Sequence, residues 1–169
     1  KRFPVGVILA ITPFNFPLNL VAHKIAPAIA AGCPFILKPA SATPITALKL
    51  AEIIQNTSWP KEAASVLPTS SHLIEKYLTH PLIAKISFTG SPDVGWKIKS
   101  IASFKKVTLE LGGNAATIIT SSASIENIID HCSAAAFAYS GQICIHTQRF
   151  FVHPQHFQKF SELLVQKAQ

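Results

Sequence analysis

Cysteine is scarce in this sequence: Cys33, Cys132 and Cys144 are the three present, and none belongs to a CxxC pair. An odd number without paired spacing excludes a disulfide framework. His153 and His156 lie three residues apart with no second pair of ligands, so no metal site is expected. Charge is sparse too. With 14% charged and 49% hydrophobic residues the chain is globular, and rather apolar for a solitary domain. The formal charge of +7 is spread singly along the chain, and Lys105-Lys106 is the only basic pair besides Lys1-Arg2. Without a polybasic run or interleaved aromatics a nucleic-acid partner is not expected, although a general attraction for anionic ligands remains. Pro, His, Lys or Asn interrupts every apolar run before membrane-spanning length, so no membrane partner is expected. No secretory segment is expected, and the expected location is a reducing cytoplasm.

What is present is an alternation of short β-rich runs with longer segments of helical period. "VGVILAIT" from Val5, "FILK" from Phe35, "ASVL" from Ala64, "KISF" from Lys85 and "VTLE" from Val107 read as strands. Helices are predicted near Leu18–Ala31, Pro44–Asn56, His72–Leu78 and Asp93–Ser103. The fold class is therefore α/β: a parallel Rossmann-like sheet with helices on both faces, followed by the start of a second α/β domain. The unbroken apolar character of "VGVILAI" suits a strand covered on both sides. After Glu110 the pattern changes. "AATIIT" and "RFFVH" read as strands, Ser124 as the cap of a helix running to about Tyr139, and a closing helix starts near Gln155. The boundary predicted from this change separates a nucleotide-binding part, 1–110, from the start of a catalytic part, 111–169.

Open parallel sheets bind ligands beyond the carboxyl ends of their strands. Asn15, Lys38, Ser41, Thr89-Gly90-Ser91 and Glu110 are expected along that edge. In "ISFTGSPDVG", Gly90 permits a close backbone approach, Ser91 is placed to cap, and Pro92 and Asp93 suit a first turn. Such a helix start favours a phosphate, and it is equally an ordinary capped helix. No GxGxxG follows the first strand, where "TPFNFP" stands instead. Glu110 ends an apolar strand before two glycines, and partial burial there would make it a usable general base near neutral pH. The alternative is a carboxylate that caps a helix or pairs with Lys105 or Lys106. The lead-in "AYSG" brings small residues and glycine toward Cys144, and no aromatic crowds the sulfur directly; a nucleophilic thiolate forms readily only in a polar or electropositive pocket. Cys33 and Cys132 lack such surroundings and read as structural; His131 and His146 read as surface or packing residues.

Taken together, "PVGVILAITPFNFP", "GCPFILKPAS", "ISFTGSPDVG", "VTLELGGN" and "GQICIHTQR" resemble the aldehyde dehydrogenase superfamily in order and separation. The resemblance implies oxidation of an aldehyde to an acid with NAD or NADP. Cys144 would be the nucleophile, Asn15 an oxyanion donor together with the Cys144 N–H, and Glu110 the base that activates water. It implies cofactor contacts at Ile11, Thr12, Pro13, Phe14, Lys38, Ala40, Ser41, Phe88, Thr89, Gly90, Ser91, Val94, Leu111 and Gly112. Ser41 stands where NAD-preferring relatives often carry glutamate, which leaves NADP permitted. Phe14 replaces a common tryptophan, and "LPTSSHLIEKY" lacks glycines often found after the third strand. The wording of "LELGGNAA" and "GQICIHTQR" is most similar to the branch acting on small hydroxy- or phospho-aldehydes such as lactaldehyde. A homo-oligomer is implied as well. Family chains are far longer, so the resemblance implies a central fragment, and the alternatives are a non-catalytic truncated product and an acylating enzyme using coenzyme A. The presence of Glu110 argues against the latter.

Overall fold

A computed structural model describes residues 3–169. The chain divides into two compact units at Leu111/Gly112.

The first unit is a five-stranded parallel sheet in the order β3-β2-β1-β4-β5. Its strands are β1 (Val7–Ile11), β2 (Phe35–Lys38), β3 (Ala64–Val66), β4 (Ile83–Gly90) and β5 (Lys106–Leu111). The crossovers carry α1 (Asn19–Ala30), α2 (Pro44–Gln55), α3 (Ser71–Glu75) and α4 (Pro92–Ile101). Strand period decides what each face holds. From β1, Ile8 and Ala10 point into a core with Val21, Ile25 and Ala28 of α1 and Ala47 and Ile54 of α2. Leu9 and Ile11 point the other way, into a core with Ile74 of α3 and Ile98 of α4. Helices therefore cover both faces, and the apolar run of β1 is accounted for by two cores. The chain reverses its winding between β1 and β4, which opens a crevice at their carboxyl ends.

Two expected elements differ in extent. β4 runs on through Thr89 and Gly90, which pair with Glu110 and Leu111 of β5, so these residues end the strand instead of following it. The helix expected over His72–Leu78 closes at Glu75, with the Ser70 hydroxyl accepting from the Leu73 N–H at 3.3 Å.

Gly90 has a packing reason of its own. A Cβ built there would lie 2.5 Å from Cζ of Phe88, a ring only 5% exposed in the core. Gly90→Ala is expected to cost about 1–3 kcal/mol of stability, read as a lower urea midpoint at unchanged m-value. Phe88→Leu should relieve part of that loss in a double-mutant cycle, and full additivity would remove this account of the glycine.

The second unit is a parallel pair, β6 (Ala115–Ile119) and β7 (Thr147–Val152), joined through α5 (Ile125–Phe137) and followed by α6 (Pro154–Ala168). Its core gathers Ile119, Ile125, Ile129, Cys132 and Phe160. The rings of Phe150 and Phe160 pack at 5.2 Å. Lys167 pairs with Asp130 at 2.6 Å and Lys159 with Glu126, tying α6 to α5. Ser124 holds the N-cap position of α5 but makes no side-chain cap bond, and α5 stops at Phe137 because the next residues leave helical geometry.

Candidate functional site

In the first unit the expected residues separate onto two sides of the sheet. On the α3/α4 side, Ile11, Lys38, Phe88 and Val94 line a slot of ≈ 70 Å³. Its walls are apolar side chains of α3 and α4, and the Lys97–Glu75 ion pair stands among its lining residues. Lys38 is 6% exposed, with its ammonium donating to the Pro39 carbonyl at 3.2 Å, so it is no solvated strand end. Burial lowers its pKa. Thr12 continues the ladder beyond β1, its N–H donating to the Lys38 carbonyl at 3.2 Å. Its hydroxyl is buried and has no partner among the described residues, an orphaned group of the kind that a ligand or water satisfies.

The surrounding loops carry the remainder. Pro13 is half-buried and Phe14 exposed. The Asn15 Oδ1 accepts from the Phe16 N–H at 3.2 Å, which fixes the amide locally. Ala40 and Ser41 open the turn before α2, with Ser41 exposed and the Thr43 N–H donating to the Ala40 carbonyl at 3.1 Å. Ser91 is the N-cap residue of α4, with Pro92 in the first turn and Asp93 beside it, but its side chain makes no cap bond. The capping expected of the Ser91 hydroxyl is thus not found; its carbonyl accepts from the Gly95 N–H at 3.0 Å instead. Leu111 packs against the core, close to Gly95, where a Cβ would collide with it.

On the α1 side lies Glu110, and one expectation fails there. Glu110 is exposed, because Val107, Leu109 and Leu111 turn to the core and leave Lys106, Thr108 and Glu110 on the exposed side of β5. Pairing with Lys105 is also absent: its ammonium donates to the carbonyls of His80 and Ile83, each at 2.7 Å.

The residue that the sequence reading missed is Lys24. It sits inside α1, 8% exposed, with its ammonium donating to the Ser87 hydroxyl of β4 at 3.2 Å. Burial pulls its pKa down to about 8, opposed by attraction to Glu110 and reinforced by repulsion from Lys85. A signal existed: Val21, Lys24, Ile25 and Ala28 form the buried stripe of α1 at helical spacing, and a lysine in such a stripe is out of place.

In the second unit, Cys144 is the exposed cysteine, whereas Cys33 of the first unit and Cys132 of α5 are buried. Burial raises the Cys132 pKa, consistent with an inert packing thiol. Cys144 occupies the turn Ile143–His146, closed by the His146 N–H donating to the Ile143 carbonyl at 3.2 Å, with the imidazole Nδ1 2.5 Å from the same oxygen. The lead-in is strained. Tyr139 (φ 55°), Ser140 (φ 53°) and Gly141 (φ 70°) are all left-handed, and only the last is a glycine. The segment "GGN" lies against this turn, since a Cβ at Gly113 would come 3.0 Å from the Cys144 carbonyl. Gln148 Nε2 donates to the Gly113 carbonyl at 2.7 Å, and Arg149 Nη2 to that of Asn114 at 2.9 Å. Gly112 is exposed at the start of this segment.

Among the described residues no group of three His, Cys, Asp or Glu side chains could hold a metal, and no helix is long and apolar enough to cross a membrane.

The comparisons with known proteins agree with one another. A family model described as the aldehyde dehydrogenase family matches residues 1–169. A 3-sulfolactaldehyde dehydrogenase of Priestia megaterium is 44% identical over 169 residues, covering 99% of this chain and 35% of the relative. A lactaldehyde dehydrogenase of Methanococcus aeolicus is 41% identical over 173 residues, covering 99% of this chain and 37% of the relative. The crystal structure of a glyceraldehyde-3-phosphate dehydrogenase from Methanocaldococcus jannaschii, complexed with NADP, superposes with a TM-score of 0.94 at 39% identity. That match covers 99% of this chain and 38% of the other. The chain thus spans about a third of the length of these relatives. A match along its whole length, joined to a parallel sheet wound as the sequence motifs require, makes this chain a member of the aldehyde dehydrogenase family.

Proposed function

We propose that this chain carries the nucleophile and the cofactor-binding residues of an NAD(P)-dependent enzyme that oxidises small aldehydes to carboxylic acids. The observation that carries the reading is the contrast among the cysteines: Cys144 is presented on an exposed turn behind a strained lead-in, while the other two are buried. Its role as a thiol fits a reducing cytoplasm, and a homo-oligomer belongs to the same proposal.

The residues on the α3/α4 side fit a dinucleotide. Apolar walls suit a flat ring, the Lys38 ammonium suits a ribose or phosphate, and the orphaned Thr12 hydroxyl offers an unused polar group. Ile11, Thr12, Pro13, Phe14, Lys38, Ala40, Ser41, Phe88, Thr89, Gly90, Ser91, Val94, Leu111 and Gly112 are the proposed contacts. At Ser41 there is no carboxylate to repel a ribose phosphate, so NADP is accepted as well as NAD. When bound, NAD(P)+ supplies the acceptor for the hydride that leaves the substrate carbon.

The chain's own residues do the rest. The Cys144 thiolate adds to the aldehyde carbon, forming a C–S bond as the carbonyl electrons move to oxygen. The Asn15 amide and the Cys144 N–H donate to that oxyanion, and losing one such donor typically costs about 10²–10³ in rate. Loss of hydride oxidises the carbon to a thioester on Cys144. Glu110 then takes a proton from water as the water oxygen adds to the thioester carbon, forming a C–O bond; the C–S bond breaks, and the acid leaves with the thiolate regenerated. Relatives named for sulfolactaldehyde and lactaldehyde, with a net charge of +7 here, favour small hydroxylated or anionic aldehydes as substrates.

The test is formation of reduced nicotinamide, followed by absorbance, with a panel of small aldehydes and each cofactor, on the native polypeptide carrying this chain. No turnover with any pair, in a folded protein, would favour a non-catalytic product of the same fold. Gly113→Ala provides a second check. A methyl against the Cys144 carbonyl must displace the turn by a few tenths of an ångström, and turnover is expected to drop roughly 10- to 100-fold with circular dichroism unchanged. Full activity in that variant would show that the turn need not sit against "GGN".

A further inference from the structure

The peptide unit between Ile143 and Cys144 carries two groups that matter to the site. Its N–H is that of the nucleophile, and its carbonyl closes the turn that presents Cys144. A peptide unit is planar and this one is trans, so the carbonyl and the N–H point in opposite directions from one rigid plate. Whatever fixes the carbonyl therefore aims the N–H. Two donors converge on that oxygen, and both come from His146: the backbone N–H at 3.2 Å and the imidazole Nδ1 at 2.5 Å. A carbonyl only accepts, so Nδ1 carries the proton whether the ring is neutral or charged. Among the described residues the Cys144 N–H donates to no backbone carbonyl. The stretch Gln142–His146 belongs to no helix or strand and is entered through three left-handed residues, so no regular ladder fixes its planes. The peptide unit after Cys144 is limited by a separate contact, its carbonyl lying where a Cβ at Gly113 would come within 3.0 Å.

We propose that the His146 imidazole is a positioning residue for the oxyanion donor: bonded to the Ile143 carbonyl, it fixes the plane of the Ile143–Cys144 peptide and so aims the Cys144 N–H before substrate arrives. The proposal rests on reading Cys144 as the nucleophile and its N–H as a donor to the oxyanion. His146 touches no reacting atom in this role. A donor held in place beforehand costs no reorganisation at the moment charge develops on the substrate oxygen. A second hydrogen bond on the carbonyl also polarises the amide, which makes the N–H at its other end a stronger donor. By sequence His146 reads as a surface or packing residue, because its partner is a backbone atom three positions earlier and no side chain marks it.

Two measurements on the native polypeptide carrying this chain test the proposal, and the first needs no activity. Isotopic carbonyl carbon in isoleucine and isotopic nitrogen in cysteine give an NMR correlation from the Ile143–Cys144 peptide, the one Ile-Cys pair in this sequence, assigned by its absence in Cys144→Ala. That peak reports both ends of the plate. His146→Ala should move the Ile143 carbonyl carbon upfield, as loss of a hydrogen bond does. His146→Asn should restore it, because the asparagine Nδ2 stands where the imidazole Nδ1 does, whereas the longer His146→Gln should not. The second measurement is kinetic. In His146→Ala and His146→Gln, kcat is expected to fall roughly 10- to 100-fold with KM nearly unchanged, the split of a contact realised only in the transition state. His146→Asn should recover most of that loss. Alkylation of Cys144 by iodoacetamide, in which the thiolate displaces iodide and no oxyanion forms, should keep its rate in all three variants. The Asn and Gln variants differ only in reach, so their contrast decides the matter even where His146→Ala fails to fold. A peak that stays put in His146→Gln, or that moves as far in His146→Asn, overturns the hydrogen bond. Unchanged kcat despite a moved peak overturns the link to the oxyanion, and an equal fall in alkylation overturns it by assigning the imidazole to the thiol. A wild-type polypeptide without turnover refutes the catalytic reading itself, while the peak still decides whether His146 holds the peptide plane.

Discussion

Turnover in Cys144→Ala is expected to fall by roughly 10⁴- to 10⁶-fold, the range seen when a covalent enzyme loses its nucleophile. On the proposed mechanism the effect is this large because the variant has no route to the thioester, and the remaining groups only orient and polarise the substrate. Cofactor affinity should be unchanged, because the proposed cofactor contacts do not include this side chain. Cys144→Ser tests the same point from another direction: a hydroxyl is far less ionised than a thiol near neutral pH, so little activity should return. Cys33→Ala and Cys132→Ala serve as controls. They remove buried side chains and are expected to lower stability while leaving the chemistry of the folded fraction intact. Retention of activity in Cys144→Ala would end the proposed mechanism, whatever the family.

Glu110→Gln should produce the second largest effect, a loss of about 10²–10⁴ in steady-state turnover, with a different time course. In the proposed mechanism acylation does not call on this carboxylate, so the variant should still release one burst of reduced nicotinamide per active chain before slowing. Rapid mixing distinguishes the two variants: Cys144→Ala shows no burst, and Glu110→Gln shows the burst without the sustained rate. If both phases disappear in Glu110→Gln, the carboxylate acts before the thioester forms. A strong added nucleophile should restore turnover in this variant, because it replaces the activated water.

Much of the fold could be read from the sequence because its signals are local. The run "VILAI" has no wet side, and the structure covers β1 on both. Pro44 and Pro92 begin helices where a fixed φ and a missing N–H do no harm. Tertiary effects were harder to read. Nothing adjacent to Glu110 in sequence reveals that its side of β5 stays exposed, and the expected burial failed for that reason. Nothing near Ser91 reveals that its hydroxyl forgoes the cap. Lys24 was visible in principle as a cation in an apolar stripe, but its partner is 63 residues away in sequence. The prominence of Cys144 came from small neighbours. The reason the turn can sit where it does, a bare glycine at position 113 against its carbonyl, required coordinates.

The alternation along β4 and β5 has a mutational consequence. Ile86, Phe88, Val107 and Leu109 anchor the interior, while Lys85, Ser87, Thr89, Thr108 and Glu110 occupy the opposite surface and bury little that the fold depends on. Folding and chemistry are thus written in alternate letters of the same two segments. A substitution in the second set can therefore change the chemistry offered on that surface while the first set still holds the fold.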